Sequence, residues 1–312
     1  MKTDLIKKIE EKTGISNIVE LLSSTLSGSE LNSLLLEVFN QNLETTSPAL
    51  LLKQYRANEY VQPAETDMIG LLTSELLVLE FLQKRQFQPI ELSPAAQLGS
   101  CSVLASVDQK KIISAIRNTE ILADATNAMA LHIASLKKSR NNQETSQFCT
   151  VHRHVRCQPF KTKGFSRHFK IGCLVSAGRD KGSFQFETIN LMLHLQTLHD
   201  LFSDLYDAKK IRVQLLKRQG CRDTDLLFVT LTAFLKNNLS MQIIWDEFPV
   251  ENNYYKGVQY KMIIELAGQD FEIADGGFVD WTQQLLQNKK DRLLITGFGF
   301  ELLYKIQKGL IS

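Results

Sequence analysis

The densest set of chemically capable side chains falls within nine residues, Cys149-Thr150-Val151-His152-Arg153-His154-Val155-Arg156-Cys157. Two thiols and two imidazoles at such short range are the donor types of a zinc centre. Their spacing argues against one. The run reads as a β-strand, and strand side chains alternate between faces. His152, His154 and Arg156 then share one face, and Cys149, Arg153, Val155 and Cys157 share the other. Neither C-x-x-C nor H-x₃-H occurs, so no metal is expected at Cys149, His152, His154 and Cys157. His194 and His199 lie five apart in a helical stretch, off the i, i+4 spacing of a helical metal pair, and read as structural.

A second candidate is Asp124, between a strand-like and a helix-like stretch, with Thr126 two residues on. A carboxylate there can pair with an ammonium, or it can simply cap the following helix; both readings stand. Further on come Gly276-Gly277 and Gly297-Phe298-Gly299. Glycines in such places let backbone approach a ligand or a neighbouring strand closely.

Several elements must position these groups. Residues 1–62 are predicted to be a helical segment distinct from the rest, with a capping box at Ser27-Gly28-Ser29-Glu30 and apolar residues at helical spacing from Leu31 to Phe39. Residues 63–312 form the second, larger unit. Met68 to Phe81 gives a long apolar helix face, followed by a strand at Gln88–Leu92 that ends in Ser93-Pro94. Strands are expected around Val103-Leu104-Ala105, then a helix, then a solvated polar loop over 137–147. Residues 184–206 form a helix apolar nearly all round, hence buried. Residues 211–245 read strand, polar turn, helix, strand. From Phe248 to Tyr304 the pattern is two strands, a glycine turn, a helix, and a last strand entering a helix. The fold class expected is α+β, with a mixed, mainly antiparallel sheet flanked by helices.

The ordered markers resemble the catalytic core of class II aminoacyl-tRNA synthetases, and of histidyl-tRNA synthetase and its paralogues in particular. Helix–strand–Pro over 64–96 is similar to motif 1, which in that family builds the dimer interface. Leu122-Ala123-Asp124-Ala125-Thr126 stands where the family has Arg-Pro-Glu-x-Thr, whose acid holds the substrate ammonium. Val155-Arg156-Cys157-Gln158 resembles the Phe-Arg-x-Glu of motif 2, and Gly164 to Lys170 its return strand. Arg156 then implies a phosphate contact, Gln158 replaces the acid beside adenine, Arg167 keeps the second arginine, and Lys170 stands near a histidine-reading glutamine. Tyr254-Tyr255-Lys256-Gly257 matches the end of the histidine-specific loop, but Val250 replaces its catalytic arginine. Gly276-Gly277-Phe278-Val279-Asp280 resembles Gly-Gly-Arg-Tyr-Asp. Gly297-x-Gly299 resembles motif 3, whose ATP-holding arginine has no counterpart at Leu302, Leu303 or Tyr304.

The resemblance spans roughly residues 65–310, with no anticodon-binding domain following. It implies an amino-acid-like cleft lined by Asp124, Thr126, Arg156, Gln158, Arg167, Lys170, Tyr254, Tyr255, Gly257, Gly276, Gly277, Gly297 and Gly299. With two of three arginines missing, it implies loss of tRNA aminoacylation and no resident cofactor. ATP with magnesium enters only if the chain is instead an adenylate-forming ligase acting on a non-tRNA acceptor. A homodimer through residues 64–96 and a regulatory protein partner are the implied associations, as in the regulatory subunit of ATP phosphoribosyltransferase.

Global properties agree with a bland chemistry. The chain has 312 residues, 44% of them hydrophobic and 22% charged, and a net charge of +2. That balance gives no electrostatic case for nucleic acid or a membrane surface. No apolar run reaches the roughly 18 residues a bilayer span needs. The start Met1-Lys2-Thr3-Asp4-Leu5-Ile6-Lys7-Lys8 lacks a signal-peptide core, and the five cysteines are odd in number and irregular in spacing. A cytoplasmic protein with reduced thiols is expected.

Overall fold

The computed structural model describes residues 2–140, 145–157, 166–250 and 254–311. Four helices come first: α1 (Lys2–Thr13), α2 (Ile18–Glu20), α3 (Gly28–Glu44) and α4 (Pro48–Ala57). The capping box opens α3. Ser27 N donates to the Glu30 carboxylate at 2.7 Å and Glu30 N donates to Ser27 Oγ at 3.3 Å. No described side chain from residue 4 to residue 70 is buried. Among the contacts that tie this arm to the rest are polar ones: Asn32 to Arg117 and Asn118, Glu59 to Arg167, and the Gln62 carbonyl to His168.

α5 (Met68–Lys84) turns Leu71, Val78 and Leu82 inward and leads into β1 (Gln88–Pro89). A small antiparallel sheet follows, built from β2 (Ala95–Gln97), β3 (Ser114–Ala115) and β4 (Thr119–Ile121) in the order β2-β4-β3. The strand expected around Val103 is absent. Residues Ser100–Leu104 form a π-helical turn instead. Buried Glu120 causes this: its carboxylate accepts from Gly99 N at 3.0 Å and Cys101 N at 3.1 Å, curling the backbone around itself. α6 (Ala125–Arg140) runs further than its polar end suggests, into the predicted loop. Lys137 is held in the helix by an ion pair with buried Asp291.

The main sheet is assembled from β5 (Ser146–Val155), β6 (His168–Arg179), β7 (Lys209–Arg218), β8 (Gln242–Val250), β9 (Val258–Leu266), β10 (Gln269–Val279) and β11 (Asp291–Phe298), with β1. Its order is β1-β5-β6-β11-β10-β9-β7-β8. The outer pairs β1·β5 and β7·β8 are parallel and every inner pair is antiparallel. This is the α+β architecture, mixed but mainly antiparallel, that the sequence patterns predict.

Period-two alternation gives the sheet two apolar faces. Leu174 and Leu294 point to a core shared with α5, α7 (Gln185–Tyr206), α8 (Thr224–Asn238) and α10 (Phe300–Gln307). Cys173, Val175, Leu293 and Ile295 point to the opposite core, shared with α6 and α9 (Trp281–Leu286). α7 is apolar nearly all round and is the most buried helix on its face, as expected. Among the described residues no helix is long and apolar enough to cross a membrane.

Candidate functional site

On the α6 face the helices leave part of the sheet uncovered, and a cavity of about 520 Å³ opens there. Its polar walls come from four segments: Asp124 ahead of α6, His154 near the end of β5 with Arg156 just past it, Tyr254 and Tyr255 ahead of β9, and Asp275 on β10. A volume of this size suits a small metabolite.

Asp124 is fixed by three donors. Its Oδ1 accepts from Thr126 N at 2.9 Å and Thr126 Oγ1 at 2.7 Å, and its Oδ2 from Tyr254 Oη at 2.6 Å. The two sequence readings are therefore both realised: one oxygen caps α6, while the other faces the tyrosine and the cavity. The cap is the aspartate, with the threonine as its donor. Burial favours the neutral acid, but the Tyr254 and Thr126 hydrogen bonds and the Arg156 charge outweigh it and hold the carboxyl below its usual range. Tyr254 is braced edge-on by Tyr255, with ring centroids 4.8 Å apart, and by Trp281 at 5.3 Å.

His154 is 1% exposed, and neither of its ring nitrogens has a hydrogen-bond partner among the described residues. Burial, aided by Arg156 and opposed by Asp124, pushes its pKa down to about 3, so the imidazole is neutral at physiological pH. Arg156 lies over the Phe169 ring at 5.6 Å. It and Lys111 are the cations lining the cavity among the described residues.

At the other wall a bulge acts. Between Glu272 and Ala274 the β10 register shifts, so Glu272 opposes Ile263 and Asp275 opposes Lys261 on β9. The extra residue brings Glu272 and Asp275 to one face, towards the cavity. Glu272 is paired with Lys261 at 2.9 Å. Asp275 accepts from Gln259 Nε2 at 2.7 Å, and the Gln259 amide is oriented by Arg218 Nε on its oxygen at 2.8 Å. Burial raises the Asp275 pKa against hydrogen bonds from Gln259 and Tyr255.

The residues expected in the cleft divide into groups. Asp124, Thr126, Arg156, Tyr254, Tyr255, Gly297 and Gly299 do line it. Gly276 and Gly277 act one layer behind: a Cβ on Gly277 would fall 2.7 Å from the Tyr255 ring, so the missing side chain is what seats that tyrosine. Gly257 makes a turn at φ +73° beside Leu227. Arg167 and Lys170 do not line the cavity. Arg167 pairs with Glu59 of the helical arm at 2.6 Å and lies over Tyr60, and Lys170 pairs with Glu75 of α5. Register explains Lys170: it sits opposite Arg153 on the β5–β6 ladder, on the face opposite His154. Gln158 lies outside the described residues.

Cys149 and His152 take opposite sheet faces, Cys149 under the Phe87 carbonyl and His152 beside His154 with ring centroids 6.1 Å apart. Lys111, Gln259 and Asp275 are site residues that the sequence reading did not single out. Asp275 had a signal, since it directly precedes Gly276-Gly277, but its orientation depends on the bulge.

No family profile and no curated protein sequence matches this chain. Solved structures do. Histidyl-tRNA synthetase from S. aureus superposes with a TM-score of 0.59 at 12% identity, over 80% of this chain and 70% of that one. A histidine–tRNA ligase subunit from Alicyclobacillus acidocaldarius gives 0.58 at 12% identity, over 80% and 96%. A protein described as an ATP phosphoribosyltransferase regulatory subunit/histidyl-tRNA synthetase, from Bacillus halodurans, gives 0.56 at 13% identity, over 79% and 81%. At such identities the likeness is one of fold.

Proposed function

We propose, from the premise that this chain carries a class II synthetase-like fold, that it is a catalytically degenerate relative of histidyl-tRNA synthetase. In this reading it binds an amino acid or a related small metabolite in its cavity and works in a regulatory role, without aminoacylating tRNA. One observation carries the reading: Asp124, Tyr254, Tyr255 and Arg156 converge on one cavity, while the motif-3 positions that would supply a further cation are Leu302, Leu303 and Tyr304. Leu303 and Tyr304 are buried in the opposite core. An adenylating enzyme needs preorganised charge around the triphosphate, and losing one such contact typically costs about 3 kcal/mol of transition-state stabilisation.

A thermal-shift screen with amino acids, nucleotides and related metabolites tests the binding half. At least one should raise the melting temperature, and the shift should vanish in Asp124→Ala. A screen with no stabilising compound sinks it. Arg156 and Lys111 keep a second reading open, an adenylate-forming ligase with a non-tRNA acceptor that would use ATP and magnesium. Amino-acid-dependent exchange of pyrophosphate into ATP would establish that reading in place of the first.

A homodimer through α5 is part of the proposal. Its outward residues Ile69 and Leu76 are 75% and 58% exposed, apolar surface that an isolated chain leaves in water. Leu76→Glu should shift a dimer to a monomer in light scattering; a wild-type monomer at micromolar concentration counts against the dimer.

A further inference from the structure

Val155, Arg156 and Cys157, where β5 ends, are pinned by four segments. Val155 N donates to the Leu122 carbonyl at 3.1 Å, Arg156 N to the Arg167 carbonyl at 3.0 Å, and Cys157 N to the Lys111 carbonyl at 3.3 Å. The Cys157 carbonyl accepts from Arg167 Nη1 at 3.5 Å and from Tyr60 Oη at 3.3 Å. Leu122 lies two residues before Asp124, and Lys111 and Arg156 are the cations of the cavity among the described residues. Three of the four pins thus come from the body of the fold. The fourth, Tyr60, belongs to the helical arm.

The arm holds the neighbouring strand as well. Glu59 pairs with Arg167 at 2.6 Å, and the Arg167 guanidinium lies over the Tyr60 ring at 5.4 Å. His168 Nδ1 stands 3.0 Å from Arg153 Nη1; a guanidinium only donates, so this nitrogen accepts and the ring N–H is on Nε2. That N–H donates to the Gln62 carbonyl at 2.6 Å. The next residue, Phe169, is the ring under the Arg156 guanidinium. Glu59, Tyr60 and Gln62 therefore grip both strands beside Arg156. No described side chain of the arm is buried, so polar contacts of this kind, and not a packed core, decide whether the arm stays seated.

We propose that the helical arm regulates the cavity through this clamp. Seated, residues 59–62 fix the strand end that carries Arg156 and the segment that carries Lys111. Displaced, they release both cations from fixed positions. The coupling runs through contiguous hydrogen bonds, from Tyr60 to the carbonyl of Cys157 and from the Cys157 amide to Lys111. It is reciprocal: whatever immobilises Arg156 also favours the seated arm. This goes beyond the binding reading above and needs no particular occupant of the cavity.

Amide hydrogen exchange and NMR of the Arg156 side chain test this on full-length wild type, Tyr60→Phe, Glu59→Gln and the double variant. Tyr60→Phe removes one hydroxyl from a half-buried ring and Glu59→Gln one exposed charge, so each variant should fold. In the double variant the Arg156 and Cys157 amides should exchange about tenfold faster, as for loss of a net hydrogen bond or two. Each single variant should show a smaller rise. The Arg156 Nε resonance should shift in all three, which the loss of a simple tether would not cause. The amide of Met262, in the middle of the sheet between β10 and β7, should keep its wild-type rate. Unchanged exchange at Arg156 and Cys157 in the double variant overturns the proposal and leaves the arm as a tether. An equal rise at Met262 reports global loosening and overturns it too. No ligand is added, so the result stands apart from the thermal-shift screen that decides the binding reading.

Discussion

Two buried histidines lie on opposite faces of one sheet. His194, on α7, is fully buried and bonded at both nitrogens, to Ser176 Oγ at 2.9 Å and Thr296 Oγ1 at 2.7 Å. His154 is buried almost as deeply and, among the described residues, is bonded at neither. Burial pushes both pKa values down to about 3. Desolvation and titration therefore fail to distinguish the two histidines. Satisfaction of the ring does: His194 is bonded to Ser176 and Thr296, and His154 has no partner among the described residues.

The comparison can be broken most sharply by deletion. His194→Leu should destabilise the protein by about 2–4 kcal/mol in urea unfolding, because it strands the Ser176 hydroxyl in a dry core and weakens the Thr296 network. Gly277→Ala should cost about 1–3 kcal/mol, since the new methyl meets both the Tyr255 ring and the Val258 carbonyl at 2.7 Å. Asp275→Asn should give a small gain at neutral pH, no more than about 1 kcal/mol, because burial disfavours the ionised carboxylate. His154→Leu should move the stability of the ligand-free protein least, within about 1 kcal/mol, since no hydrogen bond is lost. If His154→Leu proves as damaging as His194→Leu, the two sites are alike and the contrast fails.

Acid sharpens the same comparison. Both histidines have folded pKa values below the ordinary histidine value of about 6.5. Between pH 6.5 and about 3 the unfolded chain binds protons that the folded one does not, so stability is present above the unfolded value and is lost as pH falls through that window. His154→Leu and His194→Leu should each flatten the acid limb of a stability–pH curve.

The helical arm and α5 offer a second contrast, with the sheet core. Apolar spacing predicted the helices of 1–62, and the Ser27 capping box is where the sequence placed it. Spacing does not say whether an apolar stripe finds a partner within its own chain. Here Leu34, Val38 and Phe39 remain exposed.

What this sequence determines by itself is local and periodic. Period-two runs set the strands and their faces, which put His154 and Arg156 together and separated Cys149 from His152. Near-continuous apolar character set α7 inside. Ordered glycine and tyrosine markers carried the class II resemblance, and with it Asp124, Tyr254 and Tyr255 in one cleft. Tertiary structure decided what depends on partners distant in the chain. Glu120 gathers the amides of Gly99 and Cys101 and turns an expected strand into a π-helical turn. Asp291 draws Lys137 into helix where polar composition read as loop. Arg167 and Lys170 are taken by Glu59 and Glu75 rather than by the cavity. A one-residue bulge turns Asp275 inward. Residue order fixes which face a side chain takes within its own strand. Whether a charge on that face is neutralised by another segment or left for a ligand is a long-range property, and only the assembled sheet settles it.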